Sequence, residues 1–244
     1  MTTRQASTLT GRLFASPFPL LTPMATYLIT GSNRGIGAEY CRQLQARGER
    51  VVAVCRTTSQ ELESLGVRIE AGVELTSEAA IAGLVERLDG LAIDGLILNA
   101  GIVERTSLEQ LDPASLRRQF EVNAIAPLQL TRALLGQLKP GAKVALMTSR
   151  MGSIDDNTSG GSYGYRMSKV ALCMAGKSLA IDLAPRGIAV ALLHPGLVRT
   201  RMTGFTDAGI SPQQAVQGLL ERIDALSLET SGSFWHANGQ RLPW

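Results

Sequence analysis

Hydrophobic positions along this chain fall into two alternating patterns. Short, nearly unbroken apolar runs have the length and branched character of strands buried on both faces. They are the run opening at Thr26, then Arg50–Cys55 (RVVAVC), Asp94–Leu98 (DGLIL), Lys143–Thr148 (KVALMT) and Ile188–Leu193 (IAVALL). Val67–Ala71 reads as a weaker third strand, and Gly232–His236 as a seventh. Between them the apolar residues recur at helical spacing. Ile36, Tyr40 and Leu44 mark one helix, and Ile81, Leu84, Val85 and Leu88 another. Pro113 opens a long helix whose expected buried stripe is Leu116, Phe120, Leu130 and Leu134. Ser162 to Leu183 and Gln213–Leu226 are the remaining helices. This alternation predicts an α/β fold: a single doubly wound parallel sheet of about seven strands with helices on both faces. No linker divides residues 25–244 and no solenoid-length repeat appears, so they are expected to form one domain.

Ligands of such sheets bind beyond the carboxyl ends of the strands. Here those ends carry Thr30-Gly31, Arg56, Glu74, Asn99-Ala100-Gly101, Ser149 and Pro195-Gly196, which should converge on one crevice. The first strand runs into Gly31-Ser32-Asn33-Arg34-Gly35-Ile36-Gly37 and then a helix. A strand, a glycine-rich turn and a helix start make a phosphate cradle, because helix N–H groups point outward and glycine allows close approach.

Composition narrows the class. The 244 residues are 45% hydrophobic, 5% aromatic and 18% charged, the profile of a globular enzyme with an aliphatic core. A net charge of +3 without a basic run gives no case for nucleic acid. No apolar stretch in the sequence reaches transmembrane length, so no membrane partner is expected. Cys41, Cys55 and Cys173 are widely spaced, which argues against a disulfide framework or a metal site and suits a reducing, cytoplasmic setting. Residues 1–24 contain Arg4, Arg12, Pro17, Pro19 and Pro23 but no acid. They read as a disordered, non-native or targeting extension, and the prolines disfavour an amphipathic targeting helix.

Tyr165 and Lys169 stand four apart in a helical stretch and share a face. An ammonium beside a phenol is expected to lower its pKa and make it a usable proton donor and acceptor. Ser149 ends the fifth strand just upstream, where its hydroxyl could hold a carbonyl oxygen next to the phenol. Asn123 lies on the long helix four residues before Pro127, which has no N–H for the Asn123 carbonyl. A free carbonyl there could hold a water reaching Lys169. His194 is expected to be structural, Asp155 and Asp156 to solvate a loop, and the segment from Thr200 to Gln213 to lid the substrate.

Together these residues resemble the short-chain dehydrogenase/reductase family. The motifs are Thr30-Gly31-x-x-x-Gly35-x-Gly37, Asn99-Ala100-Gly101, Asn123, Ser149, Tyr165-x-x-x-Lys169 and Pro195-Gly196-x-Val198-x-Thr200, in family order along nearly the whole chain after Met24. Ser149–Ser153 and the stretches Gly232–Trp235 and Leu242–Trp244 look like the branch of C-factor and sniffer-type carbonyl reductases. The resemblance implies a Rossmann fold with NAD(P) across the strand ends. It makes Tyr165 the general acid/base, Ser149 the carbonyl-positioning group, Lys169 a ribose ligand that lowers the Tyr165 pKa, and Asn123 the holder of a relay water. Gly31, Asn33, Arg34, Gly35, Ile36 and Gly37 would cradle the cofactor. Glu74 and Leu75 would lie near adenine, Asn99, Ala100 and Gly101 along the adenosine ribose, and Pro195, Gly196, Val198 and Thr200 at the nicotinamide. Glu74 replaces the family's usual Asp. Ser149 also precedes Tyr165 by sixteen residues where about thirteen is usual. Ser153 is therefore the alternative serine, with Ser149 preferred because it directly follows the strand.

The second strand ends in Cys55-Arg56-Thr57-Thr58 without a carboxylate, and Arg34 sits in the glycine turn. Guanidinium groups and hydroxyls there favour a 2′-phosphate, hence NADP(H) over NAD(H), although NAD(H) is possible. The expected activity is reduction of a small ketone or aldehyde. Alcohol oxidation and a dinucleotide-binding sensor are the alternatives. The resemblance also suggests a homodimer or homotetramer through the two long helices.

Overall fold

The computed structural model describes residues 24–244; the expectation for the N-terminal extension lies outside the described residues except at Met24. Seven parallel strands form one sheet in the order β3-β2-β1-β4-β5-β6-β7. They are β1 (Thr26–Thr30), β2 (Arg50–Val54), β3 (Arg68–Glu70), β4 (Ile93–Leu98), β5 (Leu138–Met147), β6 (Ala189–His194) and β7 (Ser233–His236). The helices are α1 (Gly35–Ala46), α2 (Gln60–Glu63), α3 (Glu78–Arg87), α4 (Pro113–Phe120), α5 (Ala126–Ala133), α6 (Tyr163–Leu183) and α7 (Pro212–Asp224). The expected doubly wound sheet is therefore present, and strand order reverses between β1 and β4.

Alternation along each strand builds two cores. Leu28, Val52, Val54, Leu96, Leu98, Val144 and Leu146 face a layer with Leu84 of α3, Leu130 of α5 and Leu172 of α6. Their neighbours Ile29, Val51, Ala53, Ile97, Ala145 and Met147 face the other, with Tyr40 and Leu44 of α1 and Val216 and Leu219 of α7. A strand buried on both faces must be apolar at nearly every position, which is why these runs stood out in the sequence. Tyr40 is completely buried, and its hydroxyl finds the Met147 sulfur at 3.4 Å.

Two elements depart from expectation. Strand β5 starts at Leu138, not Lys143, because a register shift against β4 absorbs Lys139-Pro140-Gly141, which reads locally as a turn. The helix opened by Pro113 is not continuous. Glu121–Ile125 is a π-helical turn in which Ala126 N–H donates to the Glu121 carbonyl. Pro127 cannot donate to residue 123, and the widened turn accommodates that missing donor. The buried line along α4 is Ser115, Gln119 and Asn123, while Leu116 and Phe120 are only half-buried. On α6, Met167, Met174 and Ile181 stay exposed at seven-residue spacing.

Candidate active site

The crevice lies at the switch point. Asn99 N–H and Ala100 N–H both donate to Thr30 Oγ1, at 3.0 and 3.1 Å. The Asn99 carboxamide donates to the Thr30 and Gly31 carbonyls at 3.1 and 3.2 Å. Asn99 thus uses its donors to tie the ends of β1 and β4 together. The turn between β1 and α1 depends on absent side chains. A Cβ on Gly31, whose φ is +65°, would lie 2.8 Å from the Ala100 Cα, and one on Gly37 would overlap the Gly31 carbonyl oxygen. The Asn33 carbonyl is held by Ser59 Oγ at 2.8 Å.

A cavity of about 1290 Å³ opens above this turn. Gly31, Asn33, Arg34, Gly35, Ile36, Gly37, Arg56, Glu74, Leu75, Asn99, Ala100, Gly101 and Thr200 all line it, whereas Pro195, Gly196 and Val198 are not among its lining residues. Sequence reasoning missed Ile102, Val103, Val122, Glu39 and Glu61, which also line it. These come from irregular backbone or from helix positions that carry no motif. Arg201, Met202 and Phe205 of the anticipated lid also face the cavity. The lid is anchored by a bridge between Val198 and Ile210 and by Thr203 Oγ1, which donates to the Val198 carbonyl at 2.6 Å.

Strand β2 runs out into Cys55-Arg56 with no carboxylate of its own, but Glu74, in the loop just past β3, brings one to 3.3 Å from Arg56. The Glu74 carboxyl remains below the usual carboxylate range: partial burial pushes upward, but bonds from Thr76 and Arg56 outweigh it. Arg34 is exposed and has no ion pair among the described residues.

Ser149, Tyr165 and Lys169 do not line this cavity directly; they meet beside its wall. A Cβ on Gly101 would lie 3.6 Å from Lys169 Nζ and 3.2 Å from Asn123 Oδ1, so Gly101 separates them from the open space. Lys169 is buried, and its ammonium donates to the Met147 carbonyl at 2.8 Å. It sits 5.7 Å from the Tyr165 ring centre. Burial pushes the Lys169 ammonium down to about 8.

One electrostatic expectation is corrected at Tyr165. The four-residue spacing predicts a phenol acidified by Lys169. Instead its pKa lies above the ordinary phenol value because desolvation dominates, and the neighbour that pulls it back is the Ser149 hydroxyl. The Lys169 ammonium bonds the Met147 carbonyl and is not among the groups that move the resting phenol's pKa. Ser149 is buried, and its Oγ accepts from Met151 N–H at 3.2 Å. The Ser153 hydroxyl instead accepts from Asp156 N–H, inside the loop.

Asn123 is fully buried. Its carboxamide accepts from Ile102 N–H at 2.8 Å and donates to the Ile102 carbonyl at 2.9 Å and to Ser168 Oγ at 3.0 Å. Ser168 Oγ in turn donates to the Tyr165 carbonyl at 2.8 Å. Pro195 and Gly196 are half-buried and Val198 is buried behind the lid. The His194 ring meets His236 edge-on at 5.0 Å. Burial, then His236 and Arg150, hold it down to about 3, so it is neutral at physiological pH. Among the described residues no helix is long and apolar enough to cross a membrane, and no cluster of three His, Cys, Asp or Glu could hold a metal.

A doubly wound sheet with a glycine-turn cavity at its switch point, a serine after β5 and a tyrosine and lysine on α6 place the chain among α/β proteins whose ligands bind at the strand ends. Residues 25–210 match the family model described as short chain dehydrogenase, and the chain belongs to that family of oxidoreductases. It is 41% identical over 226 residues to 1-hydroxy-2-glutathionyl-2-methyl-3-butene dehydrogenase of Rhodococcus sp. strain AD45, covering 91% of this chain and all of that one. The NADPH-bound carbonyl reductase from chicken fatty liver superposes with a TM-score of 0.81 at 30% identity, over 91% of this chain and 99% of that one. Carbonyl reductase Sniffer of D. melanogaster gives 0.83 at 28% identity, over 91% and 100%.

Proposed function

We propose that this protein is an NADPH-dependent carbonyl reductase in which residues 25–244 form the catalytic domain. The observation that carries the reading is the meeting of Ser149, Tyr165 and Lys169 beside Gly101, at the edge of the glycine-turn cavity. The cavity fits a dinucleotide: its volume is ample, and its floor is so close to backbone that side chains on Gly31 or Gly37 would collide with it. Gly31–Gly37 would hold the pyrophosphate at the start of α1, with Arg34 and Arg56 toward a 2′-phosphate. Thr200, Val198 and the Pro195-Gly196 backbone would hold the nicotinamide end. Similarity to the NADPH-bound avian reductase supports NADP(H) as the preferred cofactor. When bound, that cofactor supplies the hydride.

The protein's own groups handle the oxygen. Ser149 Oγ donates a hydrogen bond to the substrate carbonyl, and the Tyr165 hydroxyl delivers the proton as charge develops there. Burial keeps the phenol protonated in the resting protein, the form a reductase needs. The Lys169 ammonium next to it stabilises the phenolate left behind. The Asn123 carbonyl, without a proline N–H to accept, can hold the water that returns a proton through Lys169. NADPH oxidation with a panel of aldehydes and ketones tests this. Tyr165→Phe should lose at least about a hundredfold in kcat while still binding NADPH; turnover within twofold of wild type would refute the assignment.

The Rhodococcus relative is named as a dehydrogenase of a hydroxy compound, which favours alcohol oxidation as the second reading. The same residues run in reverse, and the relative rates with NADPH plus ketone and NADP⁺ plus alcohol separate the two. The exposed Met167, Met174 and Ile181 face of α6 suits contact with a second copy in a homodimer or homotetramer. A cytoplasmic location fits the three free, buried cysteines.

A further inference from the structure

One wall of the cavity is not built from a strand or a helix. Residues 101–107 have no regular structure, yet Ile102 and Val103 face the cavity. Two side chains one helical turn apart replace the missing neighbouring strand. Asn123 pairs with both backbone groups of Ile102. Gln119 does the same two residues further along: its Oε1 accepts from Glu104 N–H at 3.0 Å, and its Nε2 donates to the Glu104 carbonyl at 3.1 Å. Residues i and i+2 of an extended chain present their backbone groups to the same side, and residues i and i+4 of a helix share a face. The two periods match, so two carboxamides act as a two-rung ladder.

Gln119 also touches the catalytic helix. It is completely buried, and a Cβ on Gly164 would lie 2.5 Å from its Nε2. Gly164 immediately precedes Tyr165, and Ser162 N–H donates to the Thr106 carbonyl at 2.8 Å at the end of the same wall. One carboxamide therefore lies between the wall segment and the turn of α6 that carries the phenol.

The geometry points to Gln119 as a positioning residue of the reaction, setting the gap between the Ile102–Glu104 wall and Tyr165 in which the substrate carbonyl must lie. For its kinetic consequence this rests on the reductase reading; for the ladder itself it does not. Methionine at this position keeps the length and removes both hydrogen bonds to Glu104, together with the one Nε2 donates to Ser115 Oγ at 3.3 Å. Glutamate keeps the acceptor and regains the donor only when protonated. Burial raises the pKa of such a carboxyl, so the protonated form gains population as pH falls.

The test compares wild type, Gln119→Met and Gln119→Glu by amide hydrogen exchange and by NADPH oxidation with 4-nitrobenzaldehyde. Exchange at Glu104 N–H should speed up at least about tenfold in Gln119→Met while β4 amides are unchanged. Its kcat/KM for the aldehyde should fall about tenfold, with NADPH affinity changed less than about threefold. For Gln119→Glu, the ratio of kcat to wild type should rise as pH falls from about 8 to about 6. A purely structural role would lower melting temperature without moving that ratio. Unchanged exchange at Glu104, or a pH-independent ratio, overturns the proposal. If Gln119→Met does not fold, Gln119→Glu at the two pH values decides both arms. A wild-type protein without turnover defeats the reductase reading but leaves the exchange result to judge the ladder.

Discussion

Lys169→Met should make this protein more stable at neutral pH while destroying its activity. In the folded chain the ammonium is buried, 4% exposed, and burial lowers its pKa from 10.5 to about 8. The unfolded chain has no such penalty. Below pH 8 both states carry the charge, and the folded state bears the full cost of keeping it out of water. Each pKa unit corresponds to about 1.4 kcal/mol, so the cost at pH 7 is about 3 kcal/mol. The variant also loses the bond to the Met147 carbonyl, which costs about 1 kcal/mol. A net gain of about 2 kcal/mol at pH 7 remains.

The sign is set by proton counts. Between pH 8 and 10.5 the unfolded wild type binds more protons than the folded one, so this group's contribution to stability rises with pH. The methionine variant lacks that rise. Its advantage should shrink by about 2 kcal/mol between pH 7 and about pH 9.5. Urea unfolding of both proteins at the two pH values measures this, and the other titrating groups cancel because both proteins share them. A variant less stable than wild type at pH 7, or an advantage independent of pH, would refute the account of Lys169 as a strained buried charge.

Other substitutions probe the remaining contacts. Ser149→Ala should lower kcat about a hundredfold, whereas Ser153→Ala, whose hydroxyl serves only the Asp156 turn, should change it less than about threefold; equal losses in steady-state kinetics would undo the distinction. Glu74→Gln releases Arg56 and should tighten NADPH binding about threefold by fluorescence titration without changing NADH binding, since an exposed pair is worth little more than that. An equal effect on both cofactors would remove Arg56 from the 2′-phosphate. Gly37→Ala drives a methyl into the Gly31 carbonyl and should cost about 1–3 kcal/mol in urea unfolding together with most NADPH affinity. Wild-type binding in that variant would mean the turn is not the cradle.

The sheet was legible because strands buried on both faces leave no room for polar residues: Val51 to Val54 and Leu96 to Leu98 are apolar at every position. The crevice followed from where those runs stop. The break in the Pro113 helix was half legible. Pro127 marks the missing donor, but a stripe read from Leu116 and Phe120 misses the buried line because that line is polar. Gln119 and Asn123 are buried through pairing with an irregular segment fifteen to twenty-one positions away, and hydrophobic periodicity carries no trace of such partners. The same holds for Lys169. Four-residue spacing places it near Tyr165, but the carbonyl that takes its hydrogen bond comes from β5. Arg56 and Glu74 were both placed at the crevice from the sequence; their pairing required knowing that β3 lies beside β2.

The site occupies the region where backbone hydrogen bonds are completed by side chains. Within the sheet, strands satisfy one another. At its carboxyl edge the chain turns away, and its N–H and carbonyl groups need other partners because burial without them is costly. Thr30 and Asn99 serve the ends of β1 and β4, Ser59 serves Asn33, Asn123 and Gln119 serve Ile102 and Glu104, and Lys169 serves Met147. Another strand in any of these places would cover the surface the ligand needs. A side chain satisfies the same groups from behind and leaves the front open. That geometry makes these polar residues structural and functional together, so substitutions here should change stability and turnover by different amounts and in some cases in opposite directions, as the buried ammonium of Lys169 should.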